Sequence, residues 1–154
     1  MNPAPSYRER LAPPWWMLLL LLLIAPAALL VFLPIDIGVG IAVAVGLYAI
    51  IVAALWLSAP VVQVQDGVLR AGRARIDAVH LGAADALEGA EATAAMRAGW
   101  DPTDHHVTSP WMKSLVRVAV VDPADPTGAW VISSRRPQRL AAAIEDARST
   151  TAAP

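Results

Sequence analysis

The stretch WWMLLLLLLIAPAALLVFL, residues 15–33, is followed three residues later by IGVGIAVAVGLYAIIVAALWL, residues 37–57. The two stretches are 19 and 21 residues long, and nearly every side chain in them is apolar. About 20 helical residues, at 1.5 Å per residue, cross the roughly 30 Å hydrocarbon core of a bilayer. The sequence therefore predicts a membrane hairpin of two transmembrane helices.

The rest of the chain has the composition of a small soluble domain. Of the 154 residues 56% are hydrophobic, yet residues 60–154 hold 10 of the 12 Lys and Arg and 11 of the 13 Asp and Glu. The net charge of −1 gives no overall attraction to nucleic acid, and the absence of Cys excludes disulfides and thiolate chemistry. We expect a cytoplasmic N-terminal segment (1–14), the hairpin (15–57), one soluble domain (60–148) and a flexible tail (149–154).

The hairpin carries three features that bear on its packing. Pro26 predicts a kink rather than a helix end, and it frees a backbone carbonyl one turn earlier. Gly38, Ala42 and Gly46 recur every four residues and form a candidate face on which another helix can approach closely. The alternative is that small residues are simply common in an alanine-rich chain. Asp36, in the turn, is interpreted as a helix cap, with a functional role as the alternative.

The flanks of the hairpin predict its orientation. Trp15, Trp16 and Trp56 stand at its ends as candidate membrane-interface anchors. Arginines precede the first span and follow the second, whereas the turn has none, so both termini are expected to be cytoplasmic in a multi-pass protein of the inner (plasma) membrane. The rival interpretation is a signal peptide cleaved after Ala27.

The soluble half reads as short strands and one final helix. Residues 61–65 and 68–71, joined by Asp66-Gly67, predict a β-hairpin, and residues 73–79 a third strand. Alanine-rich residues 83–98 predict a helix, and residues 101–110 a loop. Residues 115–121 and 129–133 predict two more strands around a proline-rich turn, before an amphipathic helix over residues 137–148. The expected fold class is α+β, a bent sheet with a C-terminal helix like that of a pleckstrin-homology (PH) domain.

Several short motifs resemble one family. They are YRERL (7–11), PPWW (13–16), GRARI (72–76), PW (110–111), DPADP (122–126) and SSRRP (133–137). Together they are similar to the family of domains of unknown function numbered 3093, which consists of small two-helix membrane proteins typical of actinobacteria. The resemblance covers residues 7–148 and implies no activity and no site residue.

The candidate binding site is the junction between the last strand and the last helix. Ser134 is placed to cap the helix, whereas Arg135, Arg136 and Arg139 put cations at a helix N-terminus, where they oppose the macrodipole. An anionic lipid headgroup or a phosphorylated ligand would reverse that effect. The alternative is that these arginines pair with acidic residues on the surface.

Catalytic chemistry has weak support in the sequence. Metal-ligand residue types occur together at Asp101, Asp104, His105 and His106, but they lack the spacing of a metal site, so a solvated loop is the better interpretation. We expect no catalytic, metal or cofactor-binding residues and no bound cofactor.

The predicted function is a non-enzymatic scaffold or binding module tethered to the bilayer. Its expected partner is a protein or anionic lipid headgroups, and not nucleic acid. One alternative is an accessory subunit of a larger membrane complex, recognised through its helices or by self-association. A metal-assisted hydrolase is the last alternative.

Overall fold

The computed structural model describes residues 6–152, and the chain divides into two compact units. One unit is Ala12–Ala59, and the other joins the residues up to Leu11 with those from Pro60 onward. The apolar hairpin is therefore an insertion within the second unit. This differs from the predicted boundaries, which separated residues 1–14 from a domain beginning at residue 60.

The first unit has two helices that are long and apolar enough to cross a membrane, Trp15–Phe32 and Ile37–Ser58. The first consists of two segments, α1 (Trp15–Leu21) and α2 (Ile24–Phe32), and the second is α3 (Ile37–Ser58). The interruption lies one turn before Pro26, as predicted, because proline has no N–H for the Leu22 carbonyl. That carbonyl instead accepts from Ala25 N at 3.0 Å.

The turn between the helices confirms the capping interpretation of Asp36, whose Oδ1 accepts from Val39 N at 3.0 Å. The helices pack on a different face from the predicted one. Within α3 the buried residues are Gly40 and Ala44, and a Cβ on Gly40 would lie 3.2 Å from Phe32 Cβ. Small residues spaced by four thus allow α2 to approach closely, and the approach of another helix to Gly38, Ala42 and Gly46 stays a prediction.

The second unit begins with a four-stranded antiparallel sheet in the order β1-β2-β3-β4. Its strands are β1 (Tyr7–Arg10), β2 (Val61–Gln65), β3 (Val68–Ala71) and β4 (Ala74–Asp77). The predicted Asp-Gly turn is confirmed, with φ of 52° at Asp66 and 72° at Gly67, the left-handed values that a two-residue hairpin needs. The third strand is shorter than predicted, because a 3₁₀ turn follows at Ala78–His80.

Strand β1 pairs with β2 across the whole inserted hairpin. Arg10 lies opposite Val61, and Leu11 N donates to Pro60 O at 2.9 Å. Leu11 is fully buried in the main core. Leu11 and Pro60, which flank the apolar hairpin in sequence, are therefore neighbours within the domain.

A second four-stranded sheet has the order β5-β7-β8-β6. It comprises β5 (Leu81–Glu88), β6 (His105–Val107), β7 (Ser114–Val120) and β8 (Ala129–Ser133), with β6 parallel to β8 and the other pairs antiparallel. The predicted helix over residues 83–98 is wrong in its first part. Residues 81–88 are strand, since they pair with β7, and only α4 (Gly89–Arg97) is helical.

The final helix, α5 (Pro137–Ala152), closes the core between the sheets. Leu140 and Ile144 are fully buried, as their spacing predicts, with strand residues such as Val62, Val116 and Ile132. The helix begins at the predicted Pro137. It runs further than predicted, through most of the supposed flexible tail, and residues 153–154 lie outside the described part of the chain.

Candidate functional site

The junction between β8 and α5 holds an anion that belongs to the chain itself. The Glu9 carboxylate, on β1, accepts from Ser134 Oγ at 2.7 Å and from Arg135 N at 2.9 Å. The Tyr7 hydroxyl donates to the same carboxylate. A negative charge just before a helix N-terminus is favoured by the macrodipole, so Glu9 places a stabilising charge at the start of α5.

Ser134 is the centre of this network and is fully buried. Its hydroxyl donates to Glu9 and accepts from Arg136 N at 3.0 Å, while the Tyr7 hydroxyl lies 2.9 Å away. It thus bonds a backbone N–H one residue before α5 begins, rather than one inside the first turn. Ser114 Oγ, in turn, donates to the Ser134 carbonyl at 2.6 Å. The network ties the N-terminal strand to the C-terminal helix.

The titration of Tyr7 reflects this setting. Desolvation by burial, and then its hydrogen bond to Glu9, raise the pKa of Tyr7 to about 12. Both causes favour the neutral phenol, because a phenolate would sit in a poorly hydrated place beside a carboxylate.

Two clefts that share Tyr7, Arg8 and Arg136 flank the network. One, of about 270 Å³, is lined by Tyr7–Arg10 of β1 with Arg135 and Arg136. The other, of about 410 Å³, is lined mainly by Tyr7, Arg8, Arg136, Arg139 and Asp146. The second lies within the roughly 300–1,000 Å³ typical of small-ligand sites.

The predicted contact residues therefore separate into two groups. Ser134 and the backbone of Arg135 are engaged by Glu9, whereas Arg136 and Arg139 line the larger cleft with Arg8. Surface ion pairs were the alternative for these arginines. Among residues 6–152, the salt bridges of Arg117 with Asp104 and of Arg148 with Glu145 do not involve Arg136 or Arg139.

Asp104, His105 and His106 are brought near one another, but their side chains are engaged separately. The Asp104 carboxylate, whose side chain is 1% exposed, pairs with Arg117 at 3.1 Å. The His106 ring stacks on Trp100 at 3.7 Å, and the His105 ring tilts against Trp130. Across residues 6–152, no group of three or more His, Cys, Asp or Glu is arranged to hold a metal ion.

The same loop is held by local hydrogen bonds. The side chain and the backbone N–H of Thr103 both donate to the Asp101 carboxylate and lower its pKa. Thr127 has the same relation to Asp125 in the turn between β7 and β8, and lowers the pKa of that carboxyl. These are turn interactions, and they need no ligand to explain them.

The remaining predicted residues lie in the apolar unit. Trp15, Trp16 and Trp56 are all exposed, with 73%, 50% and 49% of their surface accessible. The candidate packing face leaves Gly38 and Ala42 exposed, and a Cβ on Gly46 would meet nothing within 4 Å. This face is open within its own unit, and helix α2 packs on Gly40 and Ala44 instead.

Sequence reasoning missed Tyr7, Arg8 and Glu9 as site residues. In the structure the first and third residues of Tyr7–Arg10 are half-buried and the others exposed, but the polarity of the sequence YRER shows no such alternation. These residues read as the flank of a membrane helix, because the strand with which they pair lies beyond the hairpin.

The fold and site define a class of protein with two long apolar helices inserted near the start of a sheet-rich domain that ends in a helix. The family model of "Protein of unknown function (DUF3093)" matches residues 6–144, so the chain belongs to that family, as the motifs predicted. Neither the search of curated proteins nor that of solved structures found a match.

Proposed function

We propose that this protein is a non-enzymatic binding module, or scaffold, anchored in the plasma membrane by its two apolar helices. The observation that carries the proposal is the insertion of those helices between β1 and β2. Few of their residues are buried within the chain: none in the most apolar part of the first helix and 11% in that of the second. Helices of this hydropathy, left uncovered in water, would expose far more apolar surface than a soluble protein tolerates.

The pairing of β1 with β2 supports a hairpin with both ends on one side of the bilayer. Leu11 and Pro60 share a backbone hydrogen bond, so the chain must leave and re-enter the domain at one place. Arginines flank both ends, which favours the cytoplasmic side for the domain and for both termini. A cleaved signal peptide is disfavoured, because cleavage after Ala27 would remove Leu11 from the core.

The module would act by location. Two spans make anchoring effectively irreversible, so even a weak contact with a protein partner or with anionic headgroups gains from high effective concentration at the membrane. The predicted PH-like character of the domain fits such a role and remains part of the proposal.

Cysteine labelling tests the topology, and the natural absence of Cys makes single-cysteine variants clean reporters. Ile35→Cys probes the turn between the helices, whereas Ala98→Cys and Ala124→Cys probe the domain. In intact cells a membrane-impermeant maleimide should label only Ile35→Cys, and lysis should expose the other two. Labelling of all three before lysis, or recovery of the chain in the aqueous fraction, would refute the anchored hairpin.

A second candidate is an accessory subunit of a membrane complex. It is favoured by the stripe of Gly38, Ala42 and Gly46, which α2 leaves open. Gly46→Leu should then abolish co-purification of a membrane partner or of a second copy, whereas Val43→Leu, out of step with the every-four spacing of this stripe, should not. Equal recovery with both variants would remove this candidate.

A further inference from the structure

The larger cleft beside α5 brings together three cations whose charge the described chain does not neutralise. Arg8 comes from β1, Arg136 from the segment before α5, and Arg139 from its first turn. All three are exposed, and within residues 6–152 no hydrogen bond or ion pair is found for their guanidinium groups. Asp146 is the one carboxylate among the residues that line this cleft.

Glu9 does not fill this role. Its carboxylate accepts hydrogen bonds from Tyr7, Ser134 and the backbone of Arg135. Among the described residues it forms no ion pair with the guanidinium groups of Arg8, Arg136 and Arg139. A ligand for them therefore need not displace Glu9, and it would contact side chains rather than the backbone N–H groups suggested by the sequence.

We propose that this cleft binds a phosphate group, held by Arg8, Arg136 and Arg139. Planar guanidinium groups donate paired hydrogen bonds to phosphate oxygens, and a phosphate offers more oxygens to three such groups than a carboxylate does. The ligand is a phosphate ester, carried either by a lipid headgroup or by a soluble molecule.

A lipid headgroup is the expected source if the chain is anchored in the membrane as proposed above. This part of the inference rests on that proposal. Arg10, at the end of β1, precedes Trp15 by five positions, and five residues span at most about 18 Å. Strand β1, which contributes Arg8 to the cleft, is thus joined to the first apolar helix by a short segment of chain. Each basic residue near an anionic membrane surface contributes about fivefold to binding, so three contribute on the order of a hundredfold.

The test uses the full chain in nanodiscs. Native mass spectrometry compares retention of phosphatidylglycerol by wild type, by the triple variant Arg8→Gln/Arg136→Gln/Arg139→Gln, and by the charge-matched control Arg70→Gln/Arg73→Gln/Arg75→Gln. The control arginines are exposed on the β3–β4 hairpin, away from the cleft. We expect wild type and control to retain the lipid, and the triple variant to lose most of it.

A second arm distinguishes the sources. In nanodiscs of phosphatidylcholine alone, glycerol 1-phosphate is titrated against wild type and both variants. If the lipid arm shows no loss of phosphatidylglycerol in the triple variant, loss of glycerol 1-phosphate binding in that variant alone identifies a soluble phosphate ester as the ligand. Equal behaviour of the triple variant and the control in both arms overturns the cleft assignment. The cysteine-labelling result is independent of either arm, so failure of the phosphate site and failure of the anchored hairpin can be told apart.

Discussion

Replacing residues 12–59 with a short Gly-Ser-Gly-Ser loop should give a soluble, folded domain. The Leu11 N–Pro60 O distance of 2.9 Å and the pairing of Arg10 with Val61 put the two ends within reach of such a loop, whereas a two-residue turn would need an N–H that Pro60 lacks. Removing residues 1–11 as well should instead leave a domain without one strand and without Leu11 in its core.

The magnitude can be worked from Leu11, which is 0% exposed. Truncating a buried leucine to alanine costs about 2–5 kcal/mol, against a total stability of about 5–15 kcal/mol for a small domain. With a urea m-value of about 1–3 kcal/mol/M, Leu11→Ala should lower the urea midpoint of the shortened protein by roughly 1–3 M.

Tryptophan fluorescence follows the unfolding, because Trp130 is 4% exposed in the fold. The control is Val79→Ala, at a side chain that is 55% exposed, which should change stability by less than about 0.5 kcal/mol. Equal urea midpoints for Leu11→Ala and Val79→Ala would refute the placement of the N-terminal strand. So would an unchanged stability after deletion of residues 1–11.

Three further predictions use the same shortened protein. Glu9→Gln should lower the pKa of Tyr7 from about 12, though not fully to 10 because desolvation remains, as measured by ultraviolet titration of the phenol. Since a raised phenol pKa stabilises the fold below pH 10, wild-type stability should fall as pH rises from 10 through 12, and less so in the variant. Arg117→Gln should cost about 1.5–3 kcal/mol in urea unfolding, because it leaves the Asp104 carboxylate buried without its charged partner. Gly67→Ala should cost about 1 kcal/mol or more, because the φ of 72° strains any side chain.

Each of these has a contrary outcome. An unchanged Tyr7 titration in Glu9→Gln would place the carboxylate elsewhere. If Arg117→Gln and Arg97→Gln, at an exposed position on α4, were equally stable, the Asp104 pair would contribute nothing. Gly72→Ala, at φ 62°, should behave like Gly67→Ala, and neutrality of both would contradict the two tight turns.

Features set by local chemistry were predictable from the sequence. The two apolar stretches, the Asp66-Gly67 turn and the start of α5 at Pro137 are each encoded within a few residues. The length of the apolar stretches, the preference of Asp-Gly for left-handed turn conformations and the preference of proline for the first turn of a helix explain these structures. Distant contacts change them little.

The sequence-based predictions were wrong in segments whose structure depends on pairing with residues far away in the chain. Residues 83–88 are rich in alanine, yet they are strand because β7 lies beside them, with Leu87 opposite Leu115. The helix starts only at Gly89, whose φ of 54° marks the change of direction. Tertiary pairing outweighed a helix propensity that amounts to a few tenths of a kcal/mol per residue.

The candidate site shows the same limit. Arg136 and Arg139 could be singled out because cations at a helix N-terminus contradict local electrostatics. Glu9 and Arg8 could not be joined to them, because no pattern in four residues identifies a partner strand on the far side of the apolar hairpin. The carboxylate that stabilises the helix N-terminus, that of Glu9, is close in space but far away in sequence.

The order in which the ribosome makes this chain bears on how the domain is completed. Strand β1 is made before the apolar helices and β2 after them, so the core around Leu11 cannot close until the whole inserted hairpin has been made. With the hairpin anchored as proposed, a chain whose second helix failed to return would leave β1 and β2 in different compartments. Such a chain would lack a closed core and be exposed to proteases, so completion of the domain would act as a checkpoint on insertion.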